Sequence, residues 1–243
     1  MNFQTLKSGS DVRGLAVGDD AVLTEAVART LGRAFALFVA QKENLPPDKL
    51  TLALGRDSRV TGPALLAAAA QGIADAGATA HDYGMCTTPS MYMAILTEGF
   101  QPQGSIMLTA SHHPWKLNGL KFFTHEGGLG YHDLDALLAQ AATLGAPPAQ
   151  PTGKVEAKPF LAHYVAQLRG LIQERLNPEV AKPLLGLHVV VDAGNGAGGF
   201  YAQMLNDLGA WTEGSQFLEP DGHFPNHIPN PENPQAMDSL ASA

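Results

Sequence analysis

Short apolar runs alternating with helical stretches constrain the fold of this chain more than any other feature. Residues 50–54 (LTLAL), 78–83 (ATAHDY), 105–109 (SIMLT) and 120–124 (LKFFT) have the length and character of strands. Residues 24–41 place Val27, Leu31, Ala34, Phe35 and Phe38 at helical spacing behind a capping Thr24, and LPPD at 45–48 stops the run. The alanine-rich residues 63–76 form a second helical stretch closed by Gly77, Pro89 opens a third that runs to Leu96, and 131–142 is a fourth. This alternation predicts a three-layer α/β/α body with a mixed, mostly parallel sheet, in which ligands gather at the carboxyl ends of the strands.

Residues 145–159 (GAPPAQPTGKVEAKP) carry four prolines and little apolar content, so they read as a boundary between a first domain, 1–150, and a second, 155–243. The second domain begins with a helix from 160 to about 176. It continues with the apolar strand LHVVV (187–191), the loop DAGNGAGG and a helix over 200–208. From Pro220 onward PDGHFPNHIPNPENP is too rich in proline, glycine and asparagine for a regular element, which leaves the second α/β domain incomplete.

With 45% apolar residues in 243 and a formal net charge of -8, the chain can bury a sizeable core, but it offers no basic surface to a nucleic acid or an anionic membrane. The single cysteine, Cys86, cannot form an intrachain disulfide. The N-terminal MNFQTLKSGSDVRG lacks the basic start and apolar run of a signal peptide, and no apolar stretch reaches the roughly 18 residues of a membrane span. The expectation is a soluble, cytoplasmic chain.

Chemistry concentrates in TASHHPWKLNGLKFF, residues 109–123. A strand ending in Ser111, His112, His113 and Pro114 projects a hydroxyl from a turn, and Asn118-Gly119 makes a second turn that can return Lys121 beside it. A serine hydroxyl is a weak nucleophile, so phosphoryl transfer needs positioning and cationic help, for which Lys121 and His112 are the sequence-near candidates. On chemistry alone, an ordinary polar loop with Ser111 capping a helix accounts for the same residues. Arg56 and Arg59, flanking Asp57, read either as an ion-pair network holding the serine loop or as a solvated turn. Gly194, Gly196 and Gly199 satisfy G-x-G-x-x-G, so a dinucleotide-binding oxidoreductase is an alternative, with Glu213 or Glu219 as ribose contact. His223 and His227 are four apart, but Pro225 between them denies the helical face of a zinc pair, and they read as loop hydrogen-bonders.

The 109–123 segment resembles the active-serine signature of the α-D-phosphohexomutase family, of phosphoglucomutase/phosphomannomutase type: roughly T-A/G-S-H-N-P, a short spacer, then N-G-x-K. SGSDVRG (8–14), GRDSR (55–59), TTP (87–89), VVVDAGNGAGG (189–199) and DGHFPNHIPNPENP (221–234) are similar, in order, to further motifs of that family's first domain and part of its second. The resemblance implies an isomerase that interconverts hexose 1-phosphate and hexose 6-phosphate through a phosphoserine and a bisphosphorylated sugar, with a phosphorylated hexose as substrate and Mg2+ as cofactor. It implies that Ser111 carries the phosphoryl group and that Lys121 and Arg13 are the basic residues beside it. For Arg13 the electrostatic role is preferred, because a guanidinium stays protonated at ordinary pH. Arg56, Asn118 and Gly119 are carried over as support for the substrate or phosphate loop.

The chain departs from the pattern at His113, where asparagine is usual, at Ser10, and in the apolar spacer Trp115-Lys116-Leu117, and these departures bear on substrate class. In the family the metal is held by the serine phosphate and an aspartate-rich loop. The sequence as it stands carries no such loop after Pro234, so the metal's other ligands are expected beyond Ala243 and turnover by these residues alone is not expected. A non-catalytic, mutase-like binding module, self-associating through surfaces left by missing domains, is the remaining alternative.

Overall fold

The computed structural model describes residues 2–243. The elements run β1 (Lys7–Ser8), β2 (Asp11–Leu15), α1 (Glu25–Glu43), β3 (Thr51–Arg56), α2 (Gly62–Asp75), β4 (Thr79–Met85), α3 (Thr88–Leu96), β5 (Gly104–Leu108), β6 (Leu117–Thr124), β7 (Gly127–Gly128), α4 (Tyr131–Thr143) and β8 (Lys154–Ala157). The helices α5 (Leu161–Leu176), α6 (Phe200–Asp207) and α7 (Pro234–Ala241) follow.

Local chemistry sets the helix ends. Thr24 Oγ1 accepts from the Val27 N–H at 3.4 Å, satisfying one of the donors that the first turn of α1 leaves open. Thr87 and Ser90 cap one another reciprocally, with proline in the first turn of α3. Gly77 follows α2 at φ +97°, the left-handed geometry that stops a helix.

The sheet has the order β1-β2-β6-β5-β3-β4-β8, with β7 on β6. β3 is parallel to both β4 and β5, and β4 is parallel to β8, whereas β6 is antiparallel to β5, β2 and β7, and β1 to β2. Only β1 and β6 therefore run against the rest, which is the mixed, mostly parallel sheet that the alternation predicts. Side chains alternate between its faces. Leu52, Leu54, Ile106, Leu108, Leu120 and Phe122 join Leu31, Phe35, Ile73, Leu137 and Leu138 of α1, α2 and α4 in one core. On the other face Ser105 Oγ donates to the Met91 carbonyl at 2.8 Å, and Phe123 meets Tyr92 with ring centroids 6.3 Å apart, which puts α3 there. Each fully buried large apolar side chain contributes roughly 1.5–3 kcal/mol.

The proline-rich stretch is not purely a linker. Lys154–Ala157 forms β8 along β4, with Thr79 paired to Lys154 and Asp82 to Ala157, because the exposed edge of β4 offers unpaired backbone groups that an extended segment satisfies. The last segment of the first compact unit, Lys116–Phe160, accordingly runs beyond the limit of 150 read from composition. The second unit comprises 161–243 together with Ser58–Val60 and Ser111–Trp115.

Within the second unit, Leu184, Leu208 and Ala210 are buried with Ile172, Val189 and Leu205 against them. The continuous strand expected over 187–191 forms only isolated bridges, His188 with Trp211 and Asp192 with Gln216. Four steps on one side face five on the other. Gly214 takes up the extra residue at φ +89°, and Ser215 Oγ accepts the Val191 N–H at 3.0 Å, so a bulge replaces the ladder. Among the described residues, no helix is long and apolar enough to cross a membrane.

α1 and α2 cross at backbone contact. A Cβ at Gly32 would fall 2.1 Å from the Ala69 carbonyl oxygen, and one at Gly72 would fall 1.9 Å from that of Arg29. Beside this crossing, Arg29 grips the fully buried Asp75 carboxylate through Nε at 2.6 Å and Nη2 at 2.9 Å. Neither backbone can yield without parting the helices, so Gly72→Ala should cost about 1–3 kcal/mol in urea unfolding. An unchanged midpoint would count against this packing.

Candidate functional site

Parallel pairing of β3 with β5 brings two sequence-distant turns together. Arg56 is in register with Leu108, so the carboxyl ends of both strands open on one edge of the sheet. There the Asp57 N–H donates to the Leu108 carbonyl at 3.0 Å, and Thr109 Oγ1 donates to Asp57 Oδ2 at 2.6 Å. Arg56 turns its Nη1 to the Asp57 carbonyl at 3.0 Å.

β6 returns along β5, with β2 on its far side. Gly119 is opposite Arg13, and a Cβ on it would fall 2.3 Å from the Val12 carbonyl oxygen, so the strands accept only glycine there. Asn118 is fully buried, donates through Nδ2 to Thr61 Oγ1 at 3.0 Å and accepts the Gly119 N–H at 2.9 Å. Continuing the register sets Asp11 across from Lys121, with Arg13 two residues along on the same face. Both cations converge on Asp11: Arg13 Nη2 lies 2.9 Å from Oδ2, and Lys121 Nζ bonds the same oxygen. The three side chains are 13–19% exposed, so solvent screens them less than a surface pair. Two cationic side chains thus share one carboxylate oxygen.

The serine loop, Ser111–Trp115, is built on Arg59. Ser111 sits at φ +56°, a left-handed conformation uncommon for a non-glycine residue. Arg59 is fully buried and donates to the carbonyls of Ser111, His113 and Pro114, each at 2.8 Å, while its guanidinium lies 5.1 Å from the Phe224 ring centroid. His112 is exposed and stacks on His113 at 4.9 Å, and Trp115 meets His223 at 5.1 Å.

Of the residues singled out from sequence, Lys121 and Arg13 come together on Asp11. Asn118 and Gly119 form the start of the same strand as Lys121, and Ser111 and His112 lie in the loop that Arg59 gathers. Around the turn at Asp57, Arg59 holds the loop through peptide carbonyls, and Arg56 bonds the Asp57 carbonyl. Sequence reasoning did not single out Asp11 or the Asp57–Thr109 contact, because both depend on strand register. Cys86 is no rival nucleophile, since burial pushes its thiol up to about 12.

The glycine-rich loop fills itself. Asp192 Oδ1 accepts the Gly194 N–H at 2.8 Å, and buried Asn195 donates to the Glu219 carbonyl at 2.9 Å and accepts from Asn226 at 2.7 Å. A carboxylate thus occupies the amide that a pyrophosphate would need, which argues against the dinucleotide alternative. His223 and His227 are indeed loop hydrogen-bonders, to Asp221 and Asp192 respectively.

Comparison with known proteins gives a consistent result. Residues 4–143 match the family model "Phosphoglucomutase/phosphomannomutase, alpha/beta/alpha domain I", and residues 162–243 match that of domain II. Phosphoglucomutase of Neisseria gonorrhoeae is 33% identical over 234 residues, 96% of this chain and 46% of that protein. Phosphomannomutase/phosphoglucomutase of Pseudomonas aeruginosa is 35% identical over 231 residues, 95% of this chain and 45% of that protein. The crystal structure of a phosphoglucomutase/phosphomannomutase family protein from Burkholderia thailandensis superposes with a TM-score of 0.80 at 29% identity, covering 100% of this chain and 50% of that one. The chain spans about half the length of the curated relatives it matches.

His227 offers a pH test of the glycine-rich loop. Its Nε2 faces the Asp192 carboxylate at 3.1 Å and its Nδ1 the Ile228 carbonyl at 2.9 Å, both pure acceptors that favour the imidazolium. Burial alone would lower its pKa, but the Ile228 carbonyl and Asp192 outweigh burial and raise it above 6.5. A folded-state value above the unfolded one means the stabilisation is full below the unfolded pKa and is lost as pH rises through the folded pKa. An NMR titration should therefore give His227 a pKa above 6.5. His227→Gln should flatten the fall in urea midpoint across that window, and a depressed pKa would contradict the arrangement.

Proposed function

The chain belongs to the phosphoglucomutase/phosphomannomutase family, and on that premise we propose that its whole protein interconverts hexose 1-phosphate and hexose 6-phosphate through a phosphoryl group carried on Ser111. The observation that carries the reading is Ser111 in a left-handed turn two residues after the Thr109–Asp57 contact, within the family's serine motif. The two phosphorylated hexose isomers differ only in which hydroxyl is esterified, so one serine can serve both directions.

In the forward half-reaction the O6 hydroxyl of a hexose 1-phosphate attacks the phosphoserine phosphorus. The O6–P bond forms, the Ser111 Oγ–P bond breaks, and the O6 proton passes through a base to the departing Ser111 Oγ. The bisphosphorylated sugar then turns, Ser111 Oγ gives up that proton as it attacks the phosphorus on O1, the O1–P bond breaks, and the departing O1 takes the proton up. Atoms and charge balance without water or a redox step. Lys121 and Arg13 have the electrostatic role of neutralising the transferring oxygens, with Asp11 holding both cations in place. Exposed His112 is the imidazole assigned to proton exchange with the sugar hydroxyls. Asn118 and Gly119 support the return strand, and Arg56 supports the turn at Asp57.

Magnesium supplies Lewis-acid stabilisation to such transfers when bound. Among the described residues, no three His, Cys, Asp or Glu side chains group to hold a metal, and a Ser111 phosphate offers only part of an oxygen shell. A cytoplasmic setting accompanies this reading, as sugar phosphates are charged and do not cross membranes unaided.

Phosphopeptide mapping of the full-length protein should find phosphoserine at Ser111. Ser111→Ala should lower turnover of glucose 1-phosphate and mannose 1-phosphate by at least about 10³-fold in a coupled assay. Modification at another residue, or activity retained in the variant, would overturn the assignment. A polypeptide of residues 1–243 alone should manage no more than slow, single-round transfer, even with magnesium and bisphosphorylated activator. Sustained turnover near the full-length rate would show that its own residues complete the site.

A further inference from the structure

Arg59 takes no part in the relay described above, yet its burial is unusual for a cation. The residue is 0% exposed, and a buried guanidinium is tolerated only where its donors are met. Three of its contacts are backbone oxygens of one five-residue loop: Nη1 donates to Pro114, and Nη2 to Ser111 and His113, each at 2.8 Å. The Phe224 ring covers the guanidinium at 5.1 Å from its centroid. Only the planar fork of arginine presents several donors at once in fixed directions, and an ammonium cannot reproduce that pattern.

The consequence for the loop follows from peptide geometry. No peptide bond is cis among the described residues, and in a trans peptide the N–H points opposite to the carbonyl. The Ser111 and Pro114 carbonyls turn toward Arg59, so the N–H groups of His112 and Trp115 turn away from it. The His113 carbonyl precedes Pro114, which has no N–H to orient. Ser111 meanwhile stays at φ +56°, a conformation that persists only where the surroundings over-determine it.

We propose that Arg59 is the positioning residue of the serine relay, a buried clamp that keeps Ser111 and the His112 amide in one geometry whether the serine oxygen carries a proton or a phosphoryl group. The inference rests on the Ser111 relay proposed above. The relay requires the same oxygen to act first as leaving group and then as nucleophile, while the charge on it changes by nearly two units. A loop free to adjust to that change would lose alignment in one of the two half-reactions. Arg59 anchors the carbonyl side of the loop and leaves that geometry independent of the charge.

The test uses the full-length protein with Arg59→Lys, which keeps the charge and removes the fork, and with the milder Phe224→Leu, which uncovers the guanidinium. For Arg59→Lys, kcat with glucose 1-phosphate should fall about 10–100-fold, as expected for a misplaced reacting group. KM should stay within about threefold, because sugar binding does not use the clamp. Hydrogen exchange at the His112 and Trp115 amides should quicken by about tenfold or more. Phe224→Leu should shift the same readouts in the same direction by less. A folded Arg59→Lys protein with wild-type kcat, or with a raised KM and unchanged kcat, would overturn the proposal. If Arg59→Lys does not fold, Phe224→Leu decides, and wild-type kcat with wild-type exchange would overturn it. If the wild-type protein shows neither turnover nor phosphoserine, the relay reading fails on its own, and unchanged amide exchange in Arg59→Lys would still refute the clamp.

Discussion

The parallel pairing of β3 with β5 is the constraint on which the first unit depends. All five residues of β5 are buried between β3 and β6, so its register is held by packing on both faces as well as by the ladder. A slip of one residue would exchange its faces and drive Ser105 and Met107 into the core that holds Ile106 and Leu108. With Arg56 opposite Leu108, two turns 52 residues apart in sequence leave the sheet side by side, and the Thr109–Asp57 hydrogen bond closes them. The serine motif inherits its starting point from that register.

Charge is used in two distinct ways in this chain. On β2 and β6 a carboxylate gathers two cations in a chain that is negative overall. In the serine loop a cation gathers peptide carbonyls, and its effect is on shape. The acidic composition says nothing against a local anion site, because potentials are set by the nearest groups.

The second unit shows how a motif can be satisfied by its own residues. DAGNGAGG matches the spacing of a pyrophosphate loop, yet Asp192 caps its first amide and Asn195 stitches it to residues 217–226. The spacing of glycines records where the backbone bends and approaches closely. What then occupies the bend depends on the residues between and beside them, here an aspartate that excludes an anion and receives His227.

Much of the fold was legible in the sequence, because its determinants are local. Helix caps at Thr24 and Thr87, the stop at Gly77 and the apolar runs over 50–54 and 105–109 act within a few residues of themselves, so alternation alone implied a layered α/β body. The serine motif was legible for the same reason: Ser111 through Lys121 are contiguous. What only the tertiary structure decided concerns pairs whose meeting depends on strand register and loop path. Asp11 lies 110 residues from Lys121, Arg59 lies 52 from Ser111, and β8 was hidden in a proline-rich stretch because an edge strand needs a free edge more than an apolar pattern. The strand expected at LHVVV failed on the same ground, since the bulge that interrupts it belongs to the partner segment at Gly214 and Ser215. Sequence determines what each segment can form by itself, and register decides which segments meet, because the free energy that sets register comes from burial shared between residues far apart in the chain.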